Sequence, residues 1–311
     1  MSKAGVAPAD AEVAPGPPTP EQRRSGRTGY LLLLPALVWL ALFFVVPMIS
    51  LASTSLYDPA GSLETGYAMT GHVANYFTVL QDYGVQFGRS LLYAGMATAF
   101  CILLGYPLAY AIAFKAGAWK NVMLVAVIAP FFTSFLVRTL SWQFILGDQA
   151  WLAEVLRATQ LMDLLVAVNL VGDQGNLLAT PFAVVAGLTY NFLPFMVLPL
   201  YASLEKIDPR LHEAGADLYA SPFTTFRKIT LPLSLPGLVA GTLLTFIPAA
   251  GDYINSELLG NPNTTMIGNV IQNLFNGGSY PEAAALSVTL MVAIVVLVLL
   301  YVRRAGTEDL V

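Results

Sequence analysis

The 311-residue chain is 56% hydrophobic and only 11% charged, with a formal charge of −4 and a mean hydropathy of +0.66, whereas soluble domains carry about 25% charged residues. This excludes a water-soluble globular enzyme and, in the absence of a basic patch, a nucleic-acid-binding protein. The lone Cys101 has no disulfide partner, and with His72 and His212 as the only histidines no credible metal-ligand or catalytic set can be drawn from the sequence.

Residues 1–28, rich in Ala, Pro and Gly, are too poor in large apolar side chains to build a core and are expected to be a disordered segment. A membrane domain is expected over 29–304 and a short tail over 305–311. Six stretches in it have the roughly 20 apolar residues that cross a bilayer: 30–51, 89–114, 121–146, 181–204, 231–254 and 283–302. The first follows Arg23, Arg24 and Arg27 and ends at "SLAS", so a cleaved leader competes with an uncleaved anchor. A leader's apolar run is only about 7–15 residues, which favours the anchor.

Lys and Arg collect on the cytoplasmic side of a membrane. Besides the three N-terminal arginines, Lys115 and Lys120 follow span two, Lys206, Arg210, Arg227 and Lys228 follow span four, and Arg303 and Arg304 follow span six. Both termini and the loop at about 205–230 are therefore expected in the cytoplasm. The opposite loops hold Arg89 and Arg157 but many carboxylates: Asp58, Glu64, Asp82, Asp148, Glu154, Asp163, Asp173, Asp252, Glu257 and Glu282. An acidic mouth concentrates cations; exclusion of basic residues from that side would leave the same pattern.

The loop "IDPRLHEAGADLYASPFTTFRKITLP" holds two helix starts. Asp208 followed by Pro209, and Ser221 followed by Pro222, each pair an N-cap residue with proline at the first helical position. Leu211, Ala214, Gly215 and Leu218 fall on one face of the first short helix, and the small residues there let another surface approach. Phe223 and Phe226 share a face of the second, which is expected to end at Arg227 and Lys228, where a helix dipole favours cations. A lone histidine such as His212 is expected to face solvent.

"EAGADLYASPFTTFRKITLPLSLPG" resembles the E-A-A signature loop of permease subunits of binding-protein-dependent ABC importers. Glu213, Ala214, Ile229, Leu231 and Pro232 match that pattern. Gly215 stands where the family has Ala, and Tyr219 where it has the Gly of the break between the two helices. Left-handed backbone there is costly for Tyr, so either the turn is made differently or Tyr219 adds a contact to the partner. The resemblance implies an all-α permease of the type I importer fold in the bacterial inner membrane. It also implies an ATPase-coupling segment comprising Glu213, Ala214, Gly215, Ala216, Asp217, Leu218 and Tyr219. The implied partners are a second homologous permease (or a second copy), two cytoplasmic ATPase subunits, an external solute-binding protein and membrane lipid. No phosphate-binding G-x-x-x-x-G-K-[ST] is present, so ATP and magnesium belong to the partner ATPases and no cofactor is expected here.

"LLLLPALVWLALFFVVPMISLASTSLYD" and "GDYINSELLGNPNTTMIGNVIQNLF" are similar to spermidine/putrescine-type permeases, a subfamily that also handles ferric iron and sulfate. A flexible polycation calls for carboxylates and aromatic faces. Asp252, Tyr253 and Glu257 at the outer end of span five are the expected gate residues, and Trp142, Tyr190 and Asn191 the candidates within the spans. Pro194, following Tyr190 and Asn191, is expected to kink its helix and free carbonyls. Ordinary interfacial or helix-to-helix roles are the competing account of all six. Arg138, costly in mid-membrane, is expected to pair with a carboxylate or helix-end carbonyls rather than cargo. An ion-coupled transporter working alone would show inverted repeats, which the sequence lacks; an uncoupled channel or scaffold would leave the loop unexplained.

Overall fold

The computed structural model describes residues 32–62, 64–147, 150–167 and 176–304. The segment 1–28 with its arginines, Asp148, Asp173 and the tail 305–311 lie outside the described residues. All regular elements among them are helices, apart from two isolated bridges between residues 57 and 69 and between 62 and 66.

The first helix, α1 (Leu32–Thr54), contains a π turn at Ala41–Val45. Its portion up to Leu51 belongs to a separate compact unit, and its side chains are exposed along 32–50. Within the described part of that unit the Trp39 and Phe43 rings lie 4.3 Å apart.

The second unit, Ala52–Val311, holds the remaining helices. Helix α2 (Ala74–Phe114) runs 41 residues, beginning fifteen before the apolar stretch read from sequence. Next come α3 (Gly117–Phe132) and α4 (Phe135–Leu146), which the sequence presents as one span but which meet at a 97° bend. Pro130 sits in the 3-10 turn Ala129–Phe132 that closes α3, and Thr133 and Ser134 adopt extended backbone, so no hydrogen-bond ladder carries the helix across. Two short helices, α5 (Trp151–Ala158) and α6 (Leu161–Ala167), precede α7 (Pro181–Leu204). After α8 (Arg210–Asp217) comes α9 (Pro222–Ala250), then α10 (Ile254–Leu259), α11 (Ile267–Asn276) and α12 (Tyr280–Arg304). Among the described residues five helices, namely α1, α2, α7, α9 and α12, are long and apolar enough to cross a membrane, and the bent α3–α4 pair is the sixth if it forms one span.

Helices α2, α7 and α9 form the core of the second unit. Gly237 and Gly241, four residues apart on α9, let α7 approach: a Cβ on Gly237 would meet the Ser203 Cβ at 2.5 Å and the Pro199 carbonyl oxygen at 2.6 Å. Small residues at this spacing are how apolar helices gain close backbone contact when lipid offers no hydrophobic driving force. Helix α7 continues through Pro194 and Pro199 without interruption.

Candidate functional site

Two regions at opposite ends of the bundle gather the residues singled out by sequence. The first is the loop from α7 to α9. Ile207 is buried, and the Asp208 carboxylate accepts the Arg210 N–H at 2.9 Å; α8 begins at Arg210 with Pro209 in the N-cap position, one residue later than the sequence suggests. Helix α8 ends with the Tyr219 N–H donating to the Ala216 carbonyl and the Ala220 N–H to the Gly215 carbonyl. This is the paired-bond helix stop whose pivot residue is left-handed and usually Gly. Tyr219 occupies the pivot with φ of 57°. The turn is therefore the one expected of a glycine, held by a Tyr at a cost of about 1–2 kcal/mol.

Ser221 then accepts the Thr224 N–H and starts α9. The second short helix does not stop at Arg227 and Lys228 as expected. It passes through a π turn at Phe226–Thr230 straight into the fifth span. The shared face expected for Phe223 and Phe226 is also divided: Phe223 is exposed, while Phe226 packs edge-on against Tyr106 and Tyr110. Gly215 is buried against Thr225 of its own loop, so it serves internal packing rather than an approaching surface. His212, expected in solvent, is half-buried, with Nε2 3.0 Å from the Thr230 hydroxyl and its ring edge-on to Phe114. These contacts tie α8 to α2 and α9 and leave an outward surface of Glu213, Ala214, Ala216, Asp217, Leu218 and Tyr219. Tyr219 is 98% exposed.

The second region lies where α9 ends. The buried Asp252 Oδ1 accepts the Asn255 N–H at 2.8 Å and its side-chain amide at 3.1 Å. Asn255 Oδ1 accepts from Asn191 of α7, whose amide also reaches the Thr139 hydroxyl of α4. Burial pushes the Asp252 carboxyl up from 3.8 to about 6, against the lowering effect of the two Asn255 bonds. Glu257 belongs to a different group: its carboxylate and the Tyr253 carbonyl both accept from the Asn269 amide, and Asn269 also bonds Ser256. The two carboxylates thus stand at one end of the molecule but in separate hydrogen-bonded sets.

Trp142 and Tyr190 form a T-shaped pair with ring centres 5.4 Å apart. They line a cleft of about 290 Å³ with Arg138, and also a larger apolar groove of about 740 Å³. Pro194 cannot donate to the Tyr190 carbonyl four residues earlier, which frees that oxygen without breaking the helix. Arg138 departs from expectation. Its guanidinium has no carboxylate or carbonyl partner among the described residues and lies over Phe131 and Phe135 at 5.3 and 5.6 Å. Asn255, Thr139 and Asn269 are additions that sequence reasoning missed; polar residues in apolar segments were their only signal. Among the described residues no three His, Cys, Asp or Glu side chains gather to hold a metal ion.

Residues 102–305 match the family described as "Binding-protein-dependent transport system inner membrane component". The chain belongs to this family. The permease is 34% identical over 267 residues to the spermidine/putrescine transport system permease protein PotB of Haemophilus influenzae, covering 85% of the chain and 90% of that protein. It is 35% identical over 274 residues to PotB of Escherichia coli, covering 86% and 94%. To the inner membrane ABC transporter permease protein YdcU of Escherichia coli it is 32% identical over 300 residues, covering 90% of each. Its fold matches a chain of a bacterial ABC transporter that imports alginate, with a TM-score of 0.62 at 17% identity over 93% of this chain and 98% of that one. The permease is accordingly a multi-pass inner-membrane subunit of an ABC importer, joined through its E-A-A-type loop to ATPase partners. ATP hydrolysis takes place on those separate subunits.

Proposed function

We propose that the permease forms part of the translocation pathway of a polyamine importer, with spermidine and putrescine as cargo. The observation that carries this is the 34–35% identity across most of the chain to proteins named as spermidine/putrescine permeases. Cation-binding chemistry at the outer end supports it: Asp252, Tyr253 and Glu257 serve as the gate, and Trp142 and Tyr190, on the side of the larger groove and away from the Arg138 cleft, as an aromatic lining deeper in. Asn191 acts with them by holding α4, α7 and α10 in register. In the assembly of two ATPases this chain pairs with a second, homologous permease and docks on an ATPase through Glu213, Ala214, Ala216, Asp217, Leu218 and Tyr219, with Gly215 packing the segment from within. A solute-binding protein delivers cargo from outside.

In this reading the termini and the α7–α9 loop lie in the cytoplasm, on the strength of the Lys and Arg residues that flank the spans. The 2.7 Å ion pair between Lys120 and Glu205 supports a shared side for the loops after spans two and four, at one end of the molecule. At the other end Tyr67 bonds the Gly278 carbonyl, joining the loops after spans one and five. ATP-driven closure of the ATPases displaces the docked loop and turns the pathway outward.

The test is uptake of radiolabelled spermidine and putrescine in cells carrying the complete transport system, with wild type and Glu213→Ala. Uptake that is lost in the variant while the protein remains in the membrane supports both cargo and coupling. Absence of polyamine uptake with wild type refutes the cargo; uptake indifferent to Glu213 refutes its coupling role.

A further inference from the structure

We propose that Arg138 is one half of an ion pair between subunits, completed by a carboxylate that the second permease inserts into the cleft at the α3–α4 bend. This rests on the two-permease assembly proposed above.

Arg138 is 8% exposed, and its Nε and Nη1 are shut away from solvent with no hydrogen bond among the described residues. Phe131 and Phe135 cover the guanidinium, but ring faces leave its N–H donors unsatisfied. A cation in this condition is strongly unfavourable in a membrane protein and calls for a counter-ion. The bend adds to the demand. Helix α4 is twelve residues long and opens at Ser134 with no side-chain cap, so its positive end lies one turn from Arg138. The cleft beside it is lined by Thr133, Ser141, Trp142 and Tyr190 as well as Arg138.

The exposed residues of α4 are Leu136, Val137, Ser141 and Phe144, of which Val137, Ser141 and Phe144 form a stripe, with Thr133 exposed at the bend. Intramembrane arginines and hydroxyl-bearing stripes turn towards protein or water rather than lipid. A lipid phosphate would draw a snorkelling side chain out to the surface, whereas this one lies folded over the rings of its own bend. A polycationic cargo is repelled by it. An acidic side chain from the facing permease satisfies the charge, the helix end and the open cleft together.

The test uses the complete transporter in lipid nanodiscs. A photoreactive aryl-ketone amino acid in place of Ser141, with Arg138 intact, is expected to crosslink to the second permease, and mass spectrometry of the product identifies the carboxylate nearest the crosslink. Arg138→Glu is then expected to lower retention of the second permease by about a hundred-fold or more, and exchanging the identified carboxylate for Arg is expected to restore it. Crosslinking to lipid alone, or to no protein, overturns the pair even if the Arg138→Glu chain fails to fold. Retention unchanged by Arg138→Glu also overturns it. If the wild-type chain retains no second permease, the two-permease assembly itself falls; a retained permease that is not crosslinked from Ser141 refutes the ion pair alone.

Discussion

Replacing Asp252 by Asn removes a charge but keeps an oxygen where Asn255 donates twice. With its carboxyl raised from 3.8 to about 6, the folded protein holds this proton more tightly than the unfolded chain does. Stability from this group is therefore greatest below about pH 4 and falls as pH rises to about 6, remaining low above that. The full penalty on the ionised fold is at most about 3 kcal/mol, reduced by the weaker bonds that a neutral amide accepts. Asp252→Asn is expected to be more stable than wild type at pH 8 by several degrees of unfolding temperature, with the advantage shrinking towards pH 4. Thermal unfolding of the purified transporter across that range reads the difference. The same variant is expected to lose most polyamine uptake. Coincident unfolding profiles for the two proteins refute the burial argument, and undiminished uptake refutes the role of Asp252 at the gate.

Gly237→Ala forces a methyl to within 2.6 Å of backbone and side-chain atoms of α7; overpacking of this kind costs about 1–3 kcal/mol, and detergent unfolding is expected to shift down accordingly. Tyr219→Gly relieves a left-handed Tyr and loses no buried surface, so the permease is expected to hold or gain about 1 kcal/mol of stability by the same assay. Its affinity for the ATPase is expected to fall, as measured by co-purification; unchanged affinity would show that the ring makes no contact there.

What the sequence made legible were features written locally. Asp208 and Ser221 each carry their signal in two residues; a helix starts directly after Ser221 and one residue later than expected after Asp208. The spans follow from apolar length alone, except where geometry intervenes. Residues 121–146 are uniformly apolar enough for one rod, and only Pro130 hints that the ladder breaks there. The start of α2 at Ala74 was missed because Asn75, Gln81 and Asp82 interrupt the apolar run, although helices project beyond lipid freely. Gly237 and Gly241 carry their close-approach spacing in the sequence itself. The Asp252–Asn255–Asn191–Thr139 chain was not legible in that form, since it joins residues up to 116 positions apart through the packing of three helices.

The π turn at Phe226–Thr230 has a mechanical consequence, because it makes the second half of the loop, from Pro222 onwards, continuous with the fifth span as a single shaft. At 1.5 Å per residue the 29 residues of α9 extend about 43 Å. The shaft is clamped to α7 at Gly237 and Gly241, with about 25 Å of its length on the loop side and about 17 Å on the other. Pivoting at that fulcrum, a sideways swing of about 3 Å at Pro222 becomes one of about 2 Å in the opposite sense at Ala250, beside Asp252. In the proposed importer, movement of the loop at Pro222 and movement beside Asp252 are thereby geared at a ratio set by where two glycines fall along one helix.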